Sequence, residues 1–286
     1  MCKAVSILIT NSNKVYWKAG IDSHDELLEL YKKTDADLNE NANPLKFAKI
    51  EISPKDNNYL KPQRSNWEFK VDEEVRPEFI LPLQEKLCWQ AWAKWKKEVY
   101  SKINLKEVVN LINPINIKHS ARVNKKEIKL VIEWDSVWDS VGDSVWDSVL
   151  DNVRASVGDS VWDSMWDNVR VSVGDSVWDN VRASVGDSVL DNVRASVGDS
   201  VWVSVWVSVR ASVRAYVGSL LKLPRKEWKY TKKIKTDDYP FQSAVDLWKR
   251  GLVPSFDGKK WRLHQMCNNA RVIWECDKKD LNKLNL

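Results

Sequence analysis

The sequence predicts a mainly β protein. A tetrapeptide-repeat β-solenoid at 134–218 lies between a small α+β N-terminal domain (1–133) and a connector with a small α+β C-terminal cap (219–286). Three observations carry this expectation. The centre of the chain repeats with a strict period of four. The flanks alternate short apolar runs, turn residues and amphipathic stretches. The charge changes sign at the repeat boundaries. Residues 134–218 hold 13 Asp against 6 Arg, with no Glu, Lys or His, a net charge of −7; the remainder holds 39 Lys+Arg against 27 Asp+Glu, a net +12.

In the N-terminal domain, the runs Ala4–Thr10 and Val15–Trp17 flank Asn11-Ser12-Asn13, which marks a β-hairpin. Ser23-His24-Asp25-Glu26 has the spacing of a capping box and opens a helix to about Lys33. Phe47–Ile52 and Trp67–Val71 read as strands. Pro82 suits the first turn of a longer helix reaching about Ile103. Its stripe Cys88, Trp92, Trp95, Val99, Ile103 recurs at steps of four and three, the pattern of a core-facing side.

From Trp134 to Val217 the chain is 21 tetrapeptides. The fourth position is Val 20 times and Met165 once; the third is Ser or Asn except at Tyr216. The first position varies among Trp, Gly, Arg and Leu, residues whose codons differ by single bases. The tract therefore reads as tandem copies that drift at positions one and two and are held at three and four. Helix is disfavoured, because a four-residue period drifts by about 40° per repeat. The Val stripe would circle such a helix more than twice, and Val, Ser, Asp, Asn and Gly are weak helix formers. A flat sheet would place Trp, Arg and Gly on the same face as Ser. A solenoid with Val inward, the Gly-Asp pairs at corners and the first position outward resolves both conflicts, with three or four sides per coil left open.

The C-terminal part predicts a Lys-rich connector (Lys222–Lys235) and a helix Ser243–Arg250 stopped by Gly251. Strands follow, with turns at Asp257-Gly258 and Asn268-Asn269. The flanking folds are expected to cap the exposed ends of the repeat.

The tract resembles, with a four-residue period, the pentapeptide-repeat proteins, which are square β-solenoids. It departs from their motif in length and in having Val as its inward residue. Some members of that family imitate DNA charge and bind topoisomerases. The segments MCKAVSILIT and AVDLWKRGLVPSFDGKKWRLH are similar to those of uncharacterised bacterial and phage proteins that carry short-period repeats between comparable ends; that resemblance implies no activity.

For function, the sequence favours a non-enzymatic repeat protein. Its acidic, Trp- and Arg-studded face would engage a protein partner, in one version by imitating nucleic-acid charge. The binding candidates are Trp134, Trp138, Trp162, Trp166, Trp178, Trp202 and Trp206, with Arg170, Arg182 and Arg194. An acidic tract argues against direct nucleic-acid binding, and no apolar run is long enough to span a membrane. Exposed ladder ends would allow self-association. The alternative is an N-terminal-Cys amidohydrolase built on Cys2 with the repeat as an appendage. His24 would be its helper, although its default place is the surface of a first helical turn. Four scattered cysteines suit the cytoplasm. No cofactor and no metal are expected: His264, Cys267 and Cys276 offer three zinc-type ligands without a fourth, and there is no glycine-rich phosphate loop.

Overall fold

The computed structural model describes residues 5–33, 47–141, 145–174, 177, 179–181, 198–228 and 231–284. It overturns the expected fold class. The described residues are mainly helical, with two small antiparallel sheets, and no solenoid forms among them. The described parts of the tetrapeptide tract are helical instead.

The chain divides into two compact units: Met1–Leu105 with Val153–Met165, and Lys106–Asn152 with Trp166–Leu286. In the first, strands β1 (Val5–Thr10), β2 (Val15–Tyr16), β3 (Phe47–Pro54) and β4 (Trp67–Val71) form an antiparallel sheet in the order β2-β1-β3-β4. The pairing Leu8↔Lys49 and Ile7↔Ile50 sets which residues share a face. On one face Leu8 and Phe47 pack with Leu27 and Leu28 of helix α1 (His24–Leu30). On the other, Trp67 meets Trp92 and Trp95 of helix α2 (Pro82–Ser101), with ring centroids 5.4 and 5.8 Å apart. The α2 stripe expected from its spacing, Cys88, Trp92, Trp95, Val99 and then Ile103, is buried throughout. Pro82 occupies the first helical turn, and the Leu81 amide donates to Gln84 Oε1 at 3.2 Å. At α1 the outcome differs, because Ser23 makes no capping bond with its side chain.

The second unit begins with the short helix α3 (Leu105–Val109), whose first residue belongs to the first unit, and continues with α4 (Lys125–Val141). Helix α5 (Val145–Val157) and helix α6 (Asp159–Val169) each have residues in both units. A π-helical turn (Arg170–Gly174) follows α6, and α7 (Gly198–Ser219) closes the repeat. Helix α8 (Gln242–Trp248) leads into a three-stranded sheet, β5 (Leu252–Phe256), β6 (Lys260–Gln265) and β7 (Arg271–Asp277), and a last turn α9 (Lys278–Leu281). Helix α7 packs on α8 and β5, and α4 packs on α8. Repeat residues take part directly. Ser208 Oγ accepts from the Phe256 amide at 2.9 Å, and Trp261 Nε1 donates to Asp135 Oδ1 at 2.7 Å. Tyr216 stacks on Trp248 at 5.2 Å. Gly251 ends α8 with φ +75°, as its position predicts.

The physical reason for the helical repeat lies in its interruptions. A drift of 40° per repeat accumulates to only about 120° over four successive fourth positions, close to the width of an ordinary apolar stripe; α5 and α6 stay within this limit, and along the longer α7 the described fourth positions, Val205 to Val217, span the same angle. Gly158 breaks the run between α5 and α6 in the left-handed conformation, φ +88°, and restarts the phase. The π turn at Arg170–Gly174 widens the helix before the chain goes on. Every fourth-position residue whose side chain is described is buried, from Val137 and Val149 through Met165 to Val217. Burying a Val side chain contributes about 1.5–3 kcal/mol, more than its propensity deficit of about 0.5 kcal/mol in a helix. Val faces inward as expected, in a helix rather than in a coil.

The first position does not face uniformly outward. Trp134 and Trp162 are buried, Trp138 and Trp166 are half-buried, and Arg170 is exposed. In α4 and α6 the drift of about 40° per repeat carries the first position outward; along α7 the same drift carries it inward, from exposed Trp206 through half-buried Arg210 and Arg214 to buried Gly218.

Candidate functional site

Three of the ten residues singled out from the sequence, Trp166, Arg170 and Trp206, line one cleft of the second unit, together with Arg210, Gly174, Val209 and Val213. The cleft holds about 220 Å³. Arg170 stands at the start of the π turn and Gly174 at its end. Trp206, Val209, Arg210 and Val213 come from two successive turns of α7. Residues at i and i+4 on a helix are neighbours, so the period of four places Arg210 over Trp206. Its guanidinium carbon lies 4.0 Å from the ring centroid, a cation–π stack. Partial burial lowers the Arg210 pKa from its ordinary value, and the group remains charged at neutral pH. Trp206 is 37% exposed, one of the few large apolar side chains left at the surface. Arg170 also reaches Asp167 at 3.7 Å, an exposed pair.

The remaining candidates fall elsewhere. Trp134 and Trp162 are core residues. Trp138 sits edge-on to Trp261 at 6.1 Å. Trp178, Arg182 and Arg194 lie outside the described residues, as do the Trp202 side chain and Cys2, on which the amidohydrolase reading rests. Arg210 was not singled out, although it belongs to the same first-position column as Arg170, and that column was the available signal.

His24 is not at the surface of its helical turn; it is 3% exposed. Among the C-terminal candidates, His264 is buried with both ring nitrogens engaged. Nδ1 meets the Ala270 carbonyl at 2.8 Å, and Nε2 meets Ser255 Oγ at 2.8 Å. A carbonyl only accepts, so Nδ1 carries the proton and Nε2 accepts from Ser255. Burial lowers the His264 pKa to about 4. Cys267 is exposed.

The cleft's chemistry follows from its residues. Indole faces supply apolar contact, and two guanidinium groups supply fork-shaped donors that match a carboxylate or phosphate. No family model, curated protein or solved structure matches this chain. Among the described residues no helix is long and apolar enough to cross a membrane.

Proposed function

We propose that this is a binding protein whose tetrapeptide-repeat helices dock a protein partner in the cleft formed by Trp166, Arg170, Trp206 and Arg210. The observation that supports this is the convergence of two Trp and two Arg on one surface, with Arg210 stacked on Trp206 at 4.0 Å. Trp and Arg are the residues most enriched where binding energy concentrates. The paired cations select an acidic segment of the partner, and the indole faces select an aromatic or large apolar side chain beside it. The net negative charge of the repeat repels an extended polyanion such as nucleic acid, whereas a short segment with one or two carboxylates meets mainly the two local guanidinium groups.

Selection of a displayed peptide library against the full chain tests the reading. Enriched peptides should combine Asp or Glu with an aromatic residue. Arg170→Ala and Arg210→Ala should each weaken them by about tenfold or more, the loss expected for a charge-assisted hydrogen bond. Enrichment without acidic residues, or affinities unchanged in both variants, would reject it.

A further inference from the structure

In the first unit, far from the repeat's sequence pattern, three side chains that no motif announces come together. His24 opens α1, Glu51 lies in the middle of β3, and Asp72 follows the last residue of β4. One ligand-type atom from each falls within 4.8 Å of the others. His24 Nε2 lies 3.1 Å from the Ile50 carbonyl, which only accepts, so Nε2 carries a proton there. The other nitrogen, Nδ1, is thereby aimed at Asp72 Oδ2, 3.2 Å away. A backbone carbonyl holding the far nitrogen of an imidazole is the usual outer contact of a metal-binding histidine, fixing its tautomer and ring plane.

The spacing of His24 Nδ1 and Asp72 Oδ2 suits a shared ion, and a Glu51 oxygen lies within 4.8 Å of both. Two ligands at about 2.1 Å from one cation are about 3.0 Å apart in octahedral and about 3.4 Å apart in tetrahedral geometry. The Nδ1–Oδ2 separation falls between these values. The positions are also rigid. Leu27 and Leu28 bind α1 to the sheet. The Asp72 amide donates to the Lys49 carbonyl at 2.9 Å. Glu51 is held in register opposite Ser6 and Lys70. His24 is buried, whereas Asp72 is 38% exposed and leaves an approach from solvent.

We propose that His24 Nδ1, Glu51 and Asp72 bind one divalent ion of the zinc class. The two carboxylates beside the buried imidazole supply negative charge that such an ion offsets. The mixed nitrogen and oxygen set favours it over calcium or magnesium, which take oxygen ligands alone, and over copper(I), which prefers sulfur. Three protein ligands leave at least one position open, as in zinc sites that take a water or an exogenous ligand.

The test uses the full chain, stripped with chelator and titrated with ZnCl2 by calorimetry, then with CoCl2 by visible absorption. One equivalent should bind, with a micromolar or tighter Kd, and cobalt should give d–d bands of a nitrogen/oxygen site without thiolate charge transfer. Asp72→Asn and Glu51→Gln should each weaken zinc by about tenfold or more while the far-UV spectrum is unchanged. His24 is buried and its removal threatens the fold, so 15N NMR of the intact protein reads it instead: zinc should shift His24 Nδ1 and leave Nε2 protonated. Absence of stoichiometric binding, thiolate bands in the cobalt spectrum, or zinc affinity unaffected by both carboxylate variants would overturn the site. So would a His24 ring protonated on both nitrogens in the presence of zinc.

Discussion

Gly158 and Gly174 open identical tetrapeptides, Gly-Asp-Ser-Val, yet the structure predicts opposite consequences for the same substitution. Gly158 has φ +88°, and a Cβ there would stand 2.4 Å from Asp22 Oδ1. A side chain in the left-handed region costs about 1–2 kcal/mol. Relieving the clash displaces the Asp22 carboxylate, which accepts from the Ser160 amide at 2.8 Å, and losing a bond to a charged acceptor costs about 1.5–3 kcal/mol. Gly158→Ala should therefore destabilise the protein by about 2.5–5 kcal/mol. Gly174 has no positive φ, and its nearest prospective contacts, the Val169 carbonyl at 3.7 Å and Val213 Cγ1 at 3.8 Å, are ordinary. Gly174→Ala should be neutral or stabilising by up to about 1 kcal/mol, the helix-propensity gain. Urea denaturation of the full chain, followed by circular dichroism, measures both. Equal losses would refute the argument that the repeat is a set of interrupted helices, since equivalence of the two glycines is what a uniform repeat requires.

Further outcomes follow from the same structure. Val205→Asp places a carboxylate at a fully buried fourth position and should cost several kcal/mol, whereas Asp at the exposed Val171 should cost under about 1 kcal/mol, both read by urea denaturation. Lys278→Met removes the cation 2.9 Å from the buried Asp135 carboxylate; with Lys278 itself 30% exposed, the loss should be about 1–3 kcal/mol, and Trp261→Phe, which removes the indole donor to the same carboxylate, should cost a similar amount. His264 has a folded pKa of about 4 against an ordinary 6.5, so the unfolded chain takes up the proton first as pH falls. Its contribution is present above about pH 6.5 and is lost toward pH 4, by about 3 kcal/mol, and the slope of stability across that window should flatten in His264→Gln.

Much of the flanking structure was legible because it depends on local pattern. The α2 stripe from Cys88 to Ile103 has a helical period long enough to exclude a strand, and Pro82 and Gly251 punctuate helices by fixed backbone chemistry. The hairpin about Asn11-Ser12-Asn13 and the turn at Asp257-Gly258 likewise rest on residue types that accept turn geometry, with Asn13 at φ +66° and Gly258 at φ +91°. The repeat was misread for a definable reason. A drift of 40° per repeat excludes an unbroken helical rod of 21 repeats, but not helices whose phase Gly158 and the π turn restart. Nothing in the tetrapeptide distinguishes Gly158, which must break the helix, from Gly174; the difference comes from Asp22, 136 positions away in sequence. Inward burial of Val was readable because it follows from period alone, whichever backbone carries it.

The candidate sites divide in the same way. Trp166, Arg170 and Trp206 are visible as part of an outlying composition, and Arg210 stands in the same first-position column as Arg170, so the same signal reaches it. The His24, Glu51 and Asp72 cluster had no sequence signature. Its ligands are 27 and 21 residues apart, and only the register of β1, β3 and β4 brings them together. His24 next to Asp25 suggested a solvated turn, whereas Leu27 and Leu28 pull that turn onto the sheet and bury the imidazole.

Drift along the repeat helices sorts equivalent repeat positions between core and surface. Hydroxyl-radical footprinting of the native full chain, with tryptophan oxidation quantified residue by residue, tests it most directly. Trp134 and Trp162 should be protected, Trp138 and Trp166 should react at intermediate rates, and Trp206 should react fastest of the five. Equal rates at all five positions would contradict the account.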